Sequence, residues 1–202
     1  MAQQNKSNSL TEGSVARGML LFAIPIFISN LFQQLYNAAD SLIVGNFVNG
    51  VALGAGVLIA RYFGAKDWES LEKVIHTTVA LGLAAGAVLT VVGVILTPQI
   101  LHWMGTPENV IGNSVAYFRT YFLGSIAVVM YNVGASILQS VGNSRSPMKY
   151  LITASLINIV LDLLFIGVLG YGVAAAAFAT IISQSVSAIL AFSKLMRSKE
   201  AW

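Results

Sequence analysis

Apolar residues fall into six segments along this chain, separated by short polar connections and preceded by a polar stretch, residues 1–18. A membrane-spanning helix needs about 20 consecutive, mostly apolar residues. Five segments reach that length, whereas the second is too short to span a bilayer alone. The segments cover approximately residues 19–48, 51–63, 74–97, 110–141, 147–170 and 172–194. The pattern predicts an all-α integral membrane protein, a six-segment helical bundle that occupies residues 19–197.

A line of polar side chains interrupts the first segment. Asn30, Gln33, Asn37 and Asp40 follow one another at helical spacing, which places them on one side of a helix. A carboxylate at membrane depth is energetically expensive and usually marks a functional site. We therefore predict that Asp40 binds a proton or Na⁺, and that Gln33 and Asn37 line a protein interior or an aqueous cavity. Pro25, earlier in the same segment, is predicted to kink the helix.

The fifth and sixth segments repeat this arrangement. Asn158 and Asp162 lie one turn apart on the same helix face, and Asp162 is the second carboxylate deep in an apolar segment. The sixth segment carries a weaker polar line that includes Thr180 and Gln184. Carboxylate, amide and hydroxyl oxygens suit a hard cation, or a hydrogen-bonded carboxylic acid. The two intramembrane aspartates are predicted to bind H⁺ or Na⁺; the alternative is a structural hydrogen-bonded pair that holds two helices together.

The fourth segment holds two further polar candidates. Asn132 is a candidate for the cavity lining, although isolated amides in membrane helices more often serve helix packing. Arg119 is interpreted either as a side chain that extends to the membrane surface or as a counter-charge to an aspartate.

Composition and charge narrow the function. Only 9% of the residues are charged, compared with about 25% in soluble domains, and there is no cysteine. No nucleophile–base pair, phosphate loop or metal motif is present, so we predict neither an enzyme nor a cofactor. The net charge of +3 does not indicate nucleic acid. If all six segments cross the membrane, every basic residue except Arg119 lies on one side, which predicts that both termini are cytoplasmic.

Four stretches resemble the N-terminal half of a bacterial MATE (multidrug and toxic compound extrusion) transporter. The matching stretches are LTEGSVARGMLLFAIPIFISNLFQQLYNAADSLIVGNFV, GAGVLIARYFGAKD, ILQSVGNSRSPMKY and NIVLDLLFIGVLGYGVAAAAFATIISQ. The resemblance implies one lobe of a twelve-helix, two-lobe antiporter of the bacterial inner membrane. Such transporters expel cationic, amphipathic small molecules in exchange for H⁺ or Na⁺. The resemblance assigns the coupling ion to Asp40, Asn158, Asp162 and Thr180.

Two departures from the family pattern lead to alternatives. The C-terminal lobe is absent from the sequence, so a separate C-lobe or a second copy of the chain is the expected partner. About one helix's worth of sequence is also missing before GAGVLIARYFGAKD. One alternative is therefore a non-functional fragment or assembly partner. A second alternative is a lipid-linked oligosaccharide flippase of the same superfamily. It is disfavoured because the cavities of such flippases tend to need several arginines or lysines to bind phosphate, and Arg119 is the one candidate here.

Overall fold

The computed structural model describes residues 54–198, which form helices joined by short turns. The first predicted segment, 19–48, and the start of the second lie outside the described residues, as do Pro25, Gln33, Asn37 and Asp40. The helices are α1 (54–64), α2 (Trp68–Trp103), α3 (Glu108–Leu123), α4 (Ser125–Ser140), α5 (Arg145–Asp162) and α6 (Ala174–Ser198). Helix α5 continues directly into a π-helical turn, Leu163–Val168.

Helix α2 is the longest described helix and extends beyond the predicted segment 74–97 at both ends. Its start is capped by Asp67, whose Oδ1 accepts a hydrogen bond of 3.1 Å from the backbone N–H of Ser70. The hydroxyl and the backbone N–H of Ser70 both favour the carboxylate, with a smaller contribution from Lys73, and they lower the pKa of Asp67 below its ordinary value. Pro98 lies inside the helix without ending it, as neighbouring helices often permit in membrane proteins.

The predicted fourth segment, 110–141, corresponds to two helices in the structure. Helices α3 and α4 meet at Gly124 with a bend of 45°. A β-carbon at Gly124 would collide with the side chain of Ile181 on α6. The absence of a side chain therefore allows α6 to pack directly against the bend.

The core lies where α4 packs between α2 and α6. Small residues bring these helices close together: a β-carbon at Gly134 on α4 would lie 3.1 Å from that of Ala191 on α6. On the other side of α4, a β-carbon at Gly82 of α2 would lie 2.8 Å from the side chain of Val133. Helices that associate in lipid rely on such close packing, because lipid removes most of the hydrophobic driving force between them.

Large apolar side chains cover the outer faces of α2 and α5, where examples include Val88, Ile95, Leu156 and Val160. Three described helical stretches are long and apolar enough to cross a membrane, or four if α3 and α4 together form one bent span. An apolar exterior over this length is typical of helices that face lipid.

Candidate functional site

The centre of the candidate site is a contact between α5 and α6. The Nδ2 atom of Asn158 on α5 donates a hydrogen bond of 3.4 Å to the Oγ1 atom of Thr180 on α6. The Thr180 hydroxyl in turn donates to the backbone carbonyl of Ala176 at 3.1 Å. The structure thus brings together two of the residues that the sequence predicted for the ion site.

A second polar side chain lies one helical turn from each of these residues, on opposite sides of the contact because α5 and α6 run antiparallel. Asp162 follows Asn158 on α5, and Gln184 follows Thr180 on α6. Asp162 Oδ1 and Gln184 Oε1 are both shielded from solvent and have no hydrogen-bond partner among the described residues. A shielded polar oxygen without a partner is costly. The Asp162 carboxylate can bind a proton or a cation, whereas the Gln184 amide oxygen can accept a hydrogen bond or contact a cation.

The donor set is made of oxygens. Carboxylate, hydroxyl and amide oxygens are ligands of hard cations, and a carboxylate also accepts a proton. Within residues 54–198, no group of three or more His, Cys, Asp or Glu side chains is placed to hold a metal ion. The arrangement suits reversible binding of a small monovalent cation or of H⁺ and does not resemble a structural metal centre.

Asp162 also occupies a distinctive backbone position. It is the last residue of α5 before the π-helical turn Leu163–Val168. Such turns widen the helix locally and occur frequently at functional sites. The side chain of Asp162 made it a candidate from the sequence, whereas the π-helical turn was not predicted.

Two hydrogen bonds that the sequence analysis did not predict hold the N-terminal end of α5. Ser187 on α6, whose side chain is fully buried, donates to the backbone carbonyl of Tyr150 at 3.1 Å. Tyr131 on α4 donates to the backbone carbonyl of Pro147 at 3.0 Å. Ser187 lies two turns beyond Thr180 on the same side of α6 and belongs to the polar line of the sixth segment; the spacing indicates the residue but not its partner on α5.

The other candidates of the fourth segment are placed apart from this contact. The Nδ2 atom of Asn132 donates to the carbonyl of Val128 in its own helix at 2.9 Å. No hydrogen bond joins Asn132 to Asn158 or Thr180 in the described part of the chain. Arg119 is exposed and forms no ion pair with a described carboxylate, which agrees with a side chain that extends to the membrane surface.

Comparison with known families identifies the chain. The family model MatE matches residues 41–164. The chain belongs to the MatE family. The match extends from the end of the first predicted segment to the π-helical turn and includes Asn158 and Asp162. The resemblance described from the sequence is thereby confirmed, and the MATE family comprises transporters rather than enzymes.

Curated MATE relatives are similar along nearly the whole chain. The probable multidrug resistance protein YoeA of Bacillus subtilis is 32% identical, with 92% of this chain and 46% of the relative aligned. The multidrug export protein MepA of Staphylococcus saprophyticus is 24% identical over 94% of this chain and 47% of the relative. The chain spans about half the length of the curated relatives it matches. The YoeA alignment runs over 212 positions, more than the 202 residues of this chain, so YoeA has internal residues with no counterpart here.

Solved MATE structures show the same fold. A MATE protein in its bent conformation superposes with a TM-score of 0.70 at 28% identity, over 94% of this chain and 47% of that protein. An inward-facing multidrug resistance MATE transporter gives a TM-score of 0.70 at 31% identity, over 73% of this chain and 34% of that protein. These similarities and the apolar helices identify a multi-pass bacterial membrane protein with the helical-bundle fold predicted from the sequence.

Proposed function

We propose that this chain is the N-terminal lobe of an antiporter that exports cationic, amphipathic compounds in exchange for H⁺ or Na⁺. Asp40, Asn158, Asp162 and Thr180 bind the coupling ion. When the ion is bound, the negative charge that attracts a cationic substrate is neutralised, so ion and substrate compete. The residues proposed to line the substrate cavity are Gln33, Asn37, Asn132 and Gln184, and Pro25 is the proposed kink.

The observation that carries this proposal is the contact between Asn158 and Thr180. It joins two helices between the shielded oxygens of Asp162 and Gln184, which lie one turn away on opposite sides of the contact and have no described partner. Helix packing alone would favour either satisfied polar groups or apolar ones at such positions. A bound ion or proton supplies the missing partner of Asp162.

The proposal includes a topology and a partner. All six segments cross the inner membrane, and both termini are cytoplasmic, because that arrangement places the basic residues on the cytoplasmic side. Alternating access in two-lobe transporters requires one lobe to move against the other. A separate C-lobe or a second copy of this chain therefore completes the transporter.

Asp162→Asn tests the proposed ion site, and Asp67→Asn provides a matched control at the exposed helix cap. We expect Asp162→Asn to weaken binding of H⁺ or Na⁺ to the purified chain by about 100-fold or more, because an ion–carboxylate interaction shielded from water is lost. Radiolabelled Na⁺ binding and proton release on Na⁺ addition measure the two ions. Asp67→Asn should bind like the unmodified chain, and equal ion binding by both variants would refute the site.

Transport is measured separately, in vesicles that contain the chain together with a second lobe. Ion-driven efflux of a cationic dye should depend on Asp162 and on Asp40, whose substitution by Asn should abolish it. Efflux that continues unchanged in both variants would contradict the coupling mechanism even if the chain binds ions.

A second candidate function is that of an assembly partner or fragment that does not transport. The observation in its favour is the YoeA alignment, which is longer than this chain and is what an internal deletion would produce. Ion binding without any efflux, in the presence of either a C-lobe or a second copy, would favour this candidate.

A further inference from the structure

A cleft of about 330 Å³ opens between the start of α2 and the end of α6. Phe192 in its wall lies twelve residues beyond Thr180 on α6, a distance of roughly 18 Å along a helix. The cleft is therefore separate from the proposed ion site. The lining residues are Trp68, Leu71, Glu72, Ile75, His76, Val79, Phe192, Leu195 and Met196.

The walls of the cleft are apolar except for Glu72 and His76, whose Oε1 and Nε2 atoms lie 4.0 Å apart. Trp68 and Met196 at its edges are 41% and 66% exposed, so the cleft reaches the outer surface of the helices. An apolar groove left empty would forfeit the contacts of its lining atoms. In a membrane protein, the apolar matter that surrounds such a groove is the acyl chains of the lipid.

Basic residues accompany the mouth of the cleft, where α2 begins and α6 ends. Those within two positions of a lining residue along the chain, and on either side of the cleft, are Lys66, Lys194 and Arg197. None of the three forms an ion pair within residues 54–198, whereas Lys73 on α2 is bound to Glu69 at 2.6 Å. Lysine and arginine side chains are long enough to bring their charges to an interface. These charges are therefore available to an anionic group at the mouth.

Lys66 carries its charge at a backbone position that normally belongs to glycine. Its φ is 55°, which lies in the left-handed region and costs energy for a residue with a β-carbon. The turn that ends α1 requires this conformation, because the N–H of Lys66 donates to the Phe63 carbonyl at 3.2 Å and the N–H of Asp67 to the Tyr62 carbonyl at 3.1 Å. Glycine would form the same turn without strain, so the turn alone does not explain a lysine here.

From these features we propose that the cleft binds an anionic phospholipid, with an acyl chain between α2 and α6 and the phosphate at the mouth, beside Lys66 and Arg197. The proposed topology places the mouth at the cytoplasmic leaflet, whose anionic lipids attract basic residues near the surface. Trp68 has the amphipathic ring typical of that interface. Glu72 and His76, one and two turns deeper on α2, suit the uncharged glycerol and ester groups. The site does not depend on transport or on ion binding.

Native mass spectrometry of the purified full-length chain measures bound lipid directly. The chain is titrated in detergent micelles with dioleoyl phosphatidylglycerol and with dioleoyl phosphatidylethanolamine, which differ in headgroup alone. We expect phosphatidylglycerol to bind about tenfold more tightly, because its net negative charge is attracted by the basic residues at the mouth. Dihexanoyl phosphatidylglycerol has the same headgroup and should bind at least tenfold more weakly than the dioleoyl lipid, because its short chains bury less apolar surface.

A first pair of variants tests the headgroup contact. Lys66→Gly removes the charge and the backbone strain together, so the variant is expected to fold at least as stably as the unmodified chain. It should weaken phosphatidylglycerol binding about fivefold. The control is Lys149→Gln, because Lys149 is also exposed but lies on α5, which does not line the cleft. Equal weakening by both variants would indicate diffuse surface attraction and would overturn the site.

A second pair tests the acyl-chain contact. Val79→Phe adds volume inside the cleft and should weaken phosphatidylglycerol binding about fivefold, because the acyl chain loses part of its space. Val88→Phe makes the same change on the exposed face of α2, where Val88 is 60% exposed, and should leave binding unchanged. Binding that is insensitive to Val79→Phe would show that the lipid lies elsewhere.

Two further results would overturn the proposal. The first is equal binding of the two dioleoyl lipids, or tighter binding of phosphatidylethanolamine, which would mean that the basic residues do not select the headgroup. The second is a chain that retains no lipid and is dimeric in the same spectra, because a second copy would then cover the cleft.

Discussion

Helices α5 and α6 carry similar polar patterns but are packed very differently. Each has two polar residues one turn apart: Asn158 and Asp162 on α5, and Thr180 and Gln184 on α6. In the most apolar 18-residue stretch of α5 and its π-helical continuation, 6% of the residues are buried. In the corresponding stretch of α6, 39% are buried. Among the described helices, α6 contacts α3, α4 and α5, whereas α5 packs mainly against α6.

The difference shows that one polar pattern serves two structural roles. Helix α6 is a central helix whose small residues, such as Ala179 and Ala191, are buried between its neighbours. Helix α5 is peripheral among the described helices and contacts α6 through Asn158 and Tyr150. A helix with few packing contacts moves at lower cost than a central one. We therefore expect the proposed ion site to respond to ligands through α5 more than through α6.

The largest effect is expected from enlarging a buried residue of α6. Ala191→Leu inserts carbon atoms where α4 and α6 are in close contact, beside Gly134. Overpacking of this kind typically costs about 1–3 kcal/mol, and the close helix contact favours the upper end. Val160→Phe adds a comparable volume to the exposed face of α5 and should change stability little. SDS-driven unfolding in mixed micelles measures both, and equal destabilisation would contradict the contrast between the two helices.

A smaller loss of stability is expected from removing a hydrogen bond that joins α6 to α5. Ser187→Ala removes the bond from the buried Ser187 hydroxyl to the Tyr150 carbonyl and leaves that carbonyl without this partner. Such bonds between membrane helices contribute about 0.6 kcal/mol on average and up to about 1.7 kcal/mol; full burial suggests about 1 kcal/mol here. Ser185→Ala is the control, because Ser185 donates to the carbonyl of Ile181 within its own helix. If both variants unfold alike, Ser187 does not anchor α5.

Sequence patterns predicted the polar residues of the site but not how they meet. The spacing of Asn158 from Asp162 and of Thr180 from Gln184 follows from helical periodicity, which is local. That α5 and α6 face each other at these residues depends on packing between segments, which periodicity does not specify. The assignment of Asn132 to the cavity stays a prediction; periodicity did not indicate that its amide donor binds the Val128 carbonyl of its own helix.

The bend and the π-helical turn were likewise beyond sequence patterns. An isolated glycine inside a helical pattern is compatible with a straight helix. The bend at Gly124 coincides with the contact to Ile181, a residue distant in sequence. The π-helical turn after Asp162 lies in an uninterrupted apolar run, LLFIGV, that carries no local signal for a change of register.

A double-mutant cycle measures the contact at the centre of the comparison. Asn158→Leu and Thr180→Val each remove one partner of the 3.4 Å hydrogen bond. Because the bond is long, we expect a coupling free energy of about 0.5 kcal/mol or slightly less in unfolding experiments. The control cycle pairs Asn132→Leu with Thr180→Val, for which no coupling is expected. Absence of coupling in the first cycle would mean that the two side chains are merely adjacent.

The smallest effect is expected at a carboxylate outside both helices, Asp67, which serves as a reference for Asp162. Asp67 is exposed and accepts a hydrogen bond from Ser70, whereas Asp162 Oδ1 is shielded and has no described partner. Because the pKa of Asp67 is lowered in the folded chain, its charge stabilises the fold above the unfolded pKa of about 3.9. This contribution is lost as the pH falls through the folded pKa. Asp67→Asn retains a capping oxygen, so its small stability deficit at neutral pH should disappear in acid. A deficit that persists at low pH would show that the cap acts through geometry rather than through charge.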